Sequence, residues 1–361
     1  MALAIAAGVF FAGWDVLGAR GLKPEHRIDS KTLFDLVKLS FGVVAGAGAL
    51  VALVVAYRRQ RVDEDAALRD ATRLHTERFT TAVSQLGNDS AAVRLGGVHA
   101  LAGLADDAPT RNLRQTCIDV LCAYLRLPYT AESDLPTGDA DARHAYLALR
   151  EVRHTVIRLI RDHLVLGRKH PHSWQGHDFD FTGVVFDGGD FVGVGFNGGT
   201  VSFDSAQFTG DRVDFIGAEF TGGTVSFDRA KFAGGTVGFW GAEFNGGKVS
   251  FGLAEFTGGT VGLVGARFTG GMVSFDGAEF TGGTVSFDTA EFTGGTVSFA
   301  TAEFSGGTVS FDRARFDSGT VSFGHAHFTG GTVDLSEALG VAPSGLPGAP
   351  LPAGLRLSPA W

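Results

Sequence analysis

The spacing of large apolar residues changes along the chain, and it is most regular in the second half. From Val201 onward the sequence is a tandem repeat of fixed length. One unit reads Val225-Ser-Phe227-Asp-Arg-Ala230-Lys-Phe232-Ala-Gly-Gly-Thr, the next begins at Val237, and the series runs to Val321 with a partial unit at Val333. Eleven full units in register predict a solenoid, in which each repeat buries its apolar face on its neighbours. The apolar residues of a unit keep fixed offsets, as in Val225, Phe227, Ala230 and Phe232. Split at Val and Ala, the unit becomes two blocks of five residues plus an extra pair. Phe181, Phe186, Phe191 and Phe196, which precede the regular tract, are spaced by five without the extra pair.

A period of five fits neither a strand nor a helix. It fits a coil with flat sides and a turn at each corner. The residue before each Phe is polar (Ser226, Lys231, Glu243, Glu255) and is expected to face water. Val225 and Phe227 flank outward Ser226 with strand-like alternation. Gly222-Gly223 and its copies supply turn positions. The predicted core is a stack of aromatic rings made by Phe181, Phe186, Phe191, Phe196, Phe220, Phe227, Phe232, Phe244, Phe256, Phe268, Phe280, Phe292 and Phe304.

The blocks Ala218-Glu-Phe220-Thr-Gly, Ala242-Glu-Phe244-Asn-Gly, Ala278-Glu-Phe280-Thr-Gly and Ala302-Glu-Phe304-Ser-Gly resemble the repeat of the pentapeptide-repeat family, Ala-(Asp/Asn)-(Leu/Phe)-x-x. The resemblance covers residues 179 to 339 and implies a right-handed, four-sided β-solenoid. Two features depart from the family pattern. Glu, Lys or Arg replaces Asp/Asn, and an extra pair of residues follows every two blocks. A four-sided coil would then take two units, or about 24 residues, in place of the family's four plain blocks of five. A flattened, two-stranded coil made of a single unit is the rival. At about 4.8 Å per coil, the eleven full units would rise roughly 26 Å in the first case and about 53 Å in the second.

Residues 1–60 carry two apolar stretches, Ala2 to Leu17 and Leu39 to Tyr57, the second without a single charge. Both are expected to span a bilayer as a helical hairpin, packed through the small residues Gly42 and Gly46, with a weaker step at Gly8 and Ala12. Arg58, Arg59 and Arg61 follow the second span and predict a multi-pass bacterial inner-membrane protein whose C-terminal region is cytoplasmic. Residues 61–168 read as a helical stalk and a small helical domain. Residues 169–178 read as a connector and cap, 179–339 as the solenoid, and 340–361 as an irregular Pro/Gly-rich tail. The phrase FTTAVSQLGNDSAAVRLGGVHALAGLADD, with CIDVLCAYLRLPY after it, resembles a group of actinobacterial membrane-anchored pentapeptide-repeat proteins, a likeness that implies architecture alone.

Charge narrows the chemistry. The whole chain carries a formal −9, whereas Asp178 to Glu337 holds 20 acidic and 7 basic residues, a net of −13. Direct nucleic-acid binding by that surface is not expected. Some pentapeptide-repeat proteins imitate DNA toward gyrase or topoisomerase, and the fold and charge sign resemble theirs. A mimic needs two continuous acidic stripes. Repeated Thr-x-Ser pairs, such as Thr284/Ser286, are expected to reflect the β-propensity of exposed Thr. Cys117 and Cys122 are spaced for neither zinc nor redox work and are expected to be buried thiols. His170, His172 and His177 beside Trp174 are expected to form a polar connector, with Trp174 covering the first coil. The glycine pairs lack the Lys-Ser/Thr and helix of a phosphate loop. No catalytic set, cofactor or metal site is expected. The reading is a membrane-anchored, non-enzymatic scaffold that presents an acidic solenoid to an unidentified protein partner, with end-to-end homo-oligomers open to it. An enzyme with a site in the helical domain, at Arg94, His99 and Asp106, is the remaining alternative.

Overall fold

The computed structural model describes residues 11, 15, 29–132 and 135–361. The chain divides into two units, residues 1–70 and 71–361. The helix Ser30–Leu86 runs through the first and into the second. Among the described residues it is the one helix long and apolar enough to cross a membrane, by length and composition. The apolar stretch at 2–17, and with it the expected hairpin and the Gly8/Ala12 step, lies outside the described residues save for Phe11 and Asp15.

Within the second unit, three further helices, Ala91–Asp106, Arg111–Leu125 and Ala140–Val165, precede the repeats. Thr110 and Asp139 cap the last two by accepting from the amides of Leu113 (3.3 Å) and Ala142 (2.9 Å). Of the two glycines in Val93-Arg-Leu-Gly-Gly-Val, Gly97 has a packing reason, whereas a Cβ on Gly96 would meet nothing within 4 Å. A Cβ on Gly97 would lie 2.7 Å from the Leu86 nitrogen, so only glycine lets these two helices approach so closely.

The repeats form a parallel β-solenoid of about seven turns, with roughly 24 residues per coil. Register decides between the two coil lengths: Val249 pairs with Val225, and Phe256 with Phe232 and Phe280. Each coil contributes four strand segments, for example Thr236–Gly238, Glu243-Phe244, Lys248-Val249-Ser250 and Glu255–Phe256. The middle two belong to one eight-residue strand that bends around Gly246-Gly247. The sides therefore fall into three parallel sheets among the described residues. Gly247 has φ +68°, and a Cβ there would sit 2.7 Å from the Gly223 carbonyl of the coil before, so the corner needs glycine twice over.

The first coil is shorter by one pair of residues. Phe179 pairs with Val201 and Phe186 with Phe208, whereas later partners such as Val225 and Val249 stand two full units apart. The missing pair lies between Phe186 and Phe191, where later coils space the rings as Phe208 and Phe215 are spaced. The tail is mostly turns and coil, with one short strand, and it follows the winding of the last coils. Leu355–Arg356 pairs with Val333-Asp334, Ser344 bridges Ser322, and the Trp361 ring meets Phe316 edge-on at 5.8 Å.

The interior is four columns of phenylalanine. One runs Phe181, Phe203, Phe227, Phe251, Phe275, Phe299, Phe323, with successive ring centroids 4.6–4.9 Å apart. Neighbouring columns meet edge-to-face, as at Phe227 and Phe239 (5.8 Å, 84°). Truncating one such fully buried ring to Ala costs about 3–5 kcal/mol. The third column is broken once, at Leu263 between Phe239 and Phe287. The same apolar core continues into the helical domain through Trp174, Ile157, Ile160 and Leu164, so the helices close the N-terminal end of the solenoid.

Candidate interaction surface

The solenoid's outward chemistry is set by register, because equivalent residues of successive coils stand side by side. On one sheet the residue before each inward Phe forms the column Gln207, Lys231, Glu255, Glu279, Glu303, His327. Lys231 pairs with Glu255 at 3.1 Å. Glu279 and Glu303 follow with no cation between them, one strand spacing apart, so their field adds and projects into solvent. The second such column reads Glu219, Glu243, Arg267, Glu291, Arg315, with Arg267 paired to Glu243. It mixes signs, with two of its five charges positive, and carries less net field.

Two further ladders stiffen the corners. Asp228 accepts from the Ser250 hydroxyl and, at 2.8 Å, from the Gly252 amide of the next coil. Asp288 repeats the motif with Ser310 (2.5 Å) and the Asp312 amide (3.1 Å). These aspartates are structural acceptors as well as surface charge.

The joint with the helical domain is built around Asp187 of the first coil, which is 6% exposed. It accepts from Tyr129 Oη (2.5 Å), Tyr146 Oη (2.8 Å) and Arg150 Nε (3.2 Å), and lies 3.3 Å from His154 Nε2. Burial opposes the charge, but hydrogen bonds from His154, Tyr129 and Tyr146 outweigh it and hold the carboxyl well below the usual range. Burial, and then the bond to Asp187, push Tyr146 up to about 12. Arg153, 2% exposed, donates to the carbonyls of Leu125 (2.6 Å) and Val185 (2.7 Å) and stacks on Tyr129 at 4.1 Å. Arg126 pairs with Asp180, and Arg161 with Asp190 at 2.7 Å.

Phe181, Phe186, Phe191, Phe196, Phe220, Phe227, Phe232, Phe244, Phe256, Phe268, Phe280, Phe292 and Phe304 are each 2% exposed or less. Gly42 and Gly46 lie in the long helix, where a Cβ on either would meet nothing within 4 Å among the described residues. Cys117 and Cys122 are buried free thiols, pushed up by burial to about 11 and about 12, so neither is a nucleophile at neutral pH. Trp174 is fully buried and stacks on His163 at 4.1 Å, and its Nε1 donates to Asp106 at 3.1 Å. His177 meets Gln115 at 3.0 Å, while His170 and His172 are exposed. Arg94, His99 and Asp106 do not converge. Three turns of helix and more separate the first from the last, about 18 Å, His99 is exposed, and Asp106 is engaged by His163 and Trp174.

Two features escaped the sequence. Asp187 occupies the slot filled by Thr209 in the next coil, and a charge in a hydroxyl position was the available signal. Trp240 lies over Gly238 and Gly262, where a Cβ on either would overlap its ring. The Arg212 guanidinium stacks on that ring at 4.5 Å. The outward hydroxyl array breaks at Gly238 and Gly262 because the indole occupies the space of the missing serines.

A parallel Phe-cored solenoid with a sealed end and patterned flat faces is the architecture of a repeat protein and supports a scaffold or interaction role. The pentapeptide-repeat family model matches residues 181–231, in nine copies. The chain is a pentapeptide-repeat protein. No curated protein and no solved structure matches it.

Proposed function

We propose that the chain is a membrane-anchored, non-enzymatic scaffold whose β-solenoid presents an acidic face to a basic protein partner. The observation that carries this reading is the in-register column Glu255, Glu279, Glu303 on a flat parallel sheet, because an unbroken acidic stripe on a rigid plane favours basic partners and speeds their encounter. Stacked repeats create extended surfaces of this kind. The uncharged stretch Leu39–Tyr57 in a continuous helix supports the anchor, and Arg58, Arg59 and Arg61 support an orientation with the repeats in the cytoplasm. Arg267 and Arg315 interrupt the second Glu column, and this favours a protein-binding scaffold over a DNA mimic.

A photo-crosslinking residue at Thr281, which is exposed next to the Glu column, tests the reading in intact membranes. The expected result is a discrete adduct with one protein. Protein found in the soluble fraction, or illumination that yields no adduct, would refute it.

A further inference from the structure

Three helices each bring to the lining of one pocket a residue with a buried polar atom that has no protein partner. The pocket, of about 240 Å³, lies in the helical domain and is lined by Arg94, Tyr124 and Arg153, by Asn88 and the exposed Asp89, and by the apolar side chains Leu86, Leu127 and Leu149, so two guanidinium charges face one carboxylate. Tyr124 Oη, Arg94 Nε and Arg153 Nε are each shielded from solvent and meet no hydrogen-bond partner within the protein. Tyr124 is 7% exposed and Arg153 2%. The other guanidinium nitrogens named so far are committed. Arg153 Nη1 and Nη2 serve Leu125 and Val185, and Arg94 Nη1 donates to the carbonyls of Asn88 and Asp89, both at 3.3 Å. The buried polar groups left here without a protein partner are the two Nε–H donors and the phenol. Burial raises the Tyr124 pKa against the pull of Arg94 and Arg153, so the phenol keeps its proton and can donate too.

Buried donors are normally satisfied, and three in one place are complemented by a group that offers only acceptors and negative charge. We propose that this pocket binds a small oxyanion, a carboxylate or phosphate group, held by Arg94, Tyr124 and Arg153. Planar guanidinium donors match both groups. The volume is several times the roughly 30 Å³ share of a water molecule. It admits an oxyanion with a short apolar tail against Leu86, Leu127 and Leu149. The site is independent of the acidic face and would make the helical domain a ligand-responsive element.

Isothermal titration calorimetry on the full chain in detergent, with sodium phosphate and sodium propionate each matched by chloride, tests the proposal. One of the two is expected to bind saturably, and which one does so identifies the group. Tyr124→Phe is expected to weaken that binding about tenfold or more, while leaving the anion-free melting temperature unchanged or higher, since it deletes an unpaired hydroxyl. Arg94→Gln, at a partly exposed position, is expected to weaken it likewise and serves if Tyr124→Phe misfolds. Heat no different from chloride with both anions would overturn the proposal and leave water as the pocket's occupant. Binding that survives both substitutions would overturn it equally.

Discussion

At each corner after an inward Phe, one residue turns through the left-handed region. Glycine fills it at 217, 241, 265 and 277, but Arg229, Leu253, Thr289, Thr301 and Arg313 hold φ between 52° and 57° there. A side chain in that conformation costs about 1–2 kcal/mol, partly offset by the extra freedom glycine has when unfolded. Arg229→Gly is therefore expected to stabilise the protein by roughly 0.5–1 kcal/mol, read as a higher denaturant midpoint. A lower midpoint would mean that the Arg229 side chain stabilises more than its backbone strains. His177 makes a second residue-scale prediction. Burial, then the charges of Arg111 and Arg114, lower its pKa from 6.5 to about 4. Between those values the unfolded chain takes up a proton that the folded chain refuses. This contribution to stability is therefore full above pH 6.5 and is lost as pH falls toward 4. Melting temperature should decline over that window, and His177→Asn should flatten the decline. An unchanged slope would show that His177 is not the group responsible.

At the scale of the elements, the solenoid is a set of stacked columns, and its one aromatic gap is informative. Leu263 occupies a slot that holds phenylalanine at 239 and 287, in coils of the same length. Leu263→Phe should restore the edge-to-face contacts with Phe251 and Phe275 and stabilise by about 0.5–1.5 kcal/mol. A lower thermal midpoint would show that the neighbours have closed around the smaller side chain. The columns were legible in the sequence because every inward position recurs at a fixed offset. Coil length was not, since one repeat unit fits either a closed two-sided coil or half of a four-sided one. The pairing of Val249 with Val225 decides for four sides, a choice that the spacing within one unit does not encode. The joint at Asp187 was illegible for another reason. Tyr129, Tyr146, Arg150 and His154 all lie far before it in the chain, and no local pattern marks them as its partners. The orphan donors of Arg94, Tyr124 and Arg153 were hidden in the same way, on three helices whose packing no period encodes.

At the scale of the whole chain, a long apolar helix, a helical domain fused to the solenoid core, and patterned β faces are the features that support a scaffold or interaction role. We propose that the Glu255, Glu279, Glu303 column is the surface that partners read. The most direct test is affinity capture from detergent-solubilised membranes with the intact chain and with a Glu255→Lys, Glu279→Lys, Glu303→Lys variant, whose outward side chains leave the Phe columns untouched. At least one protein captured by the intact chain should be lost from the folded variant, and moderate salt should weaken its capture. An identical captured set from both would contradict the claim.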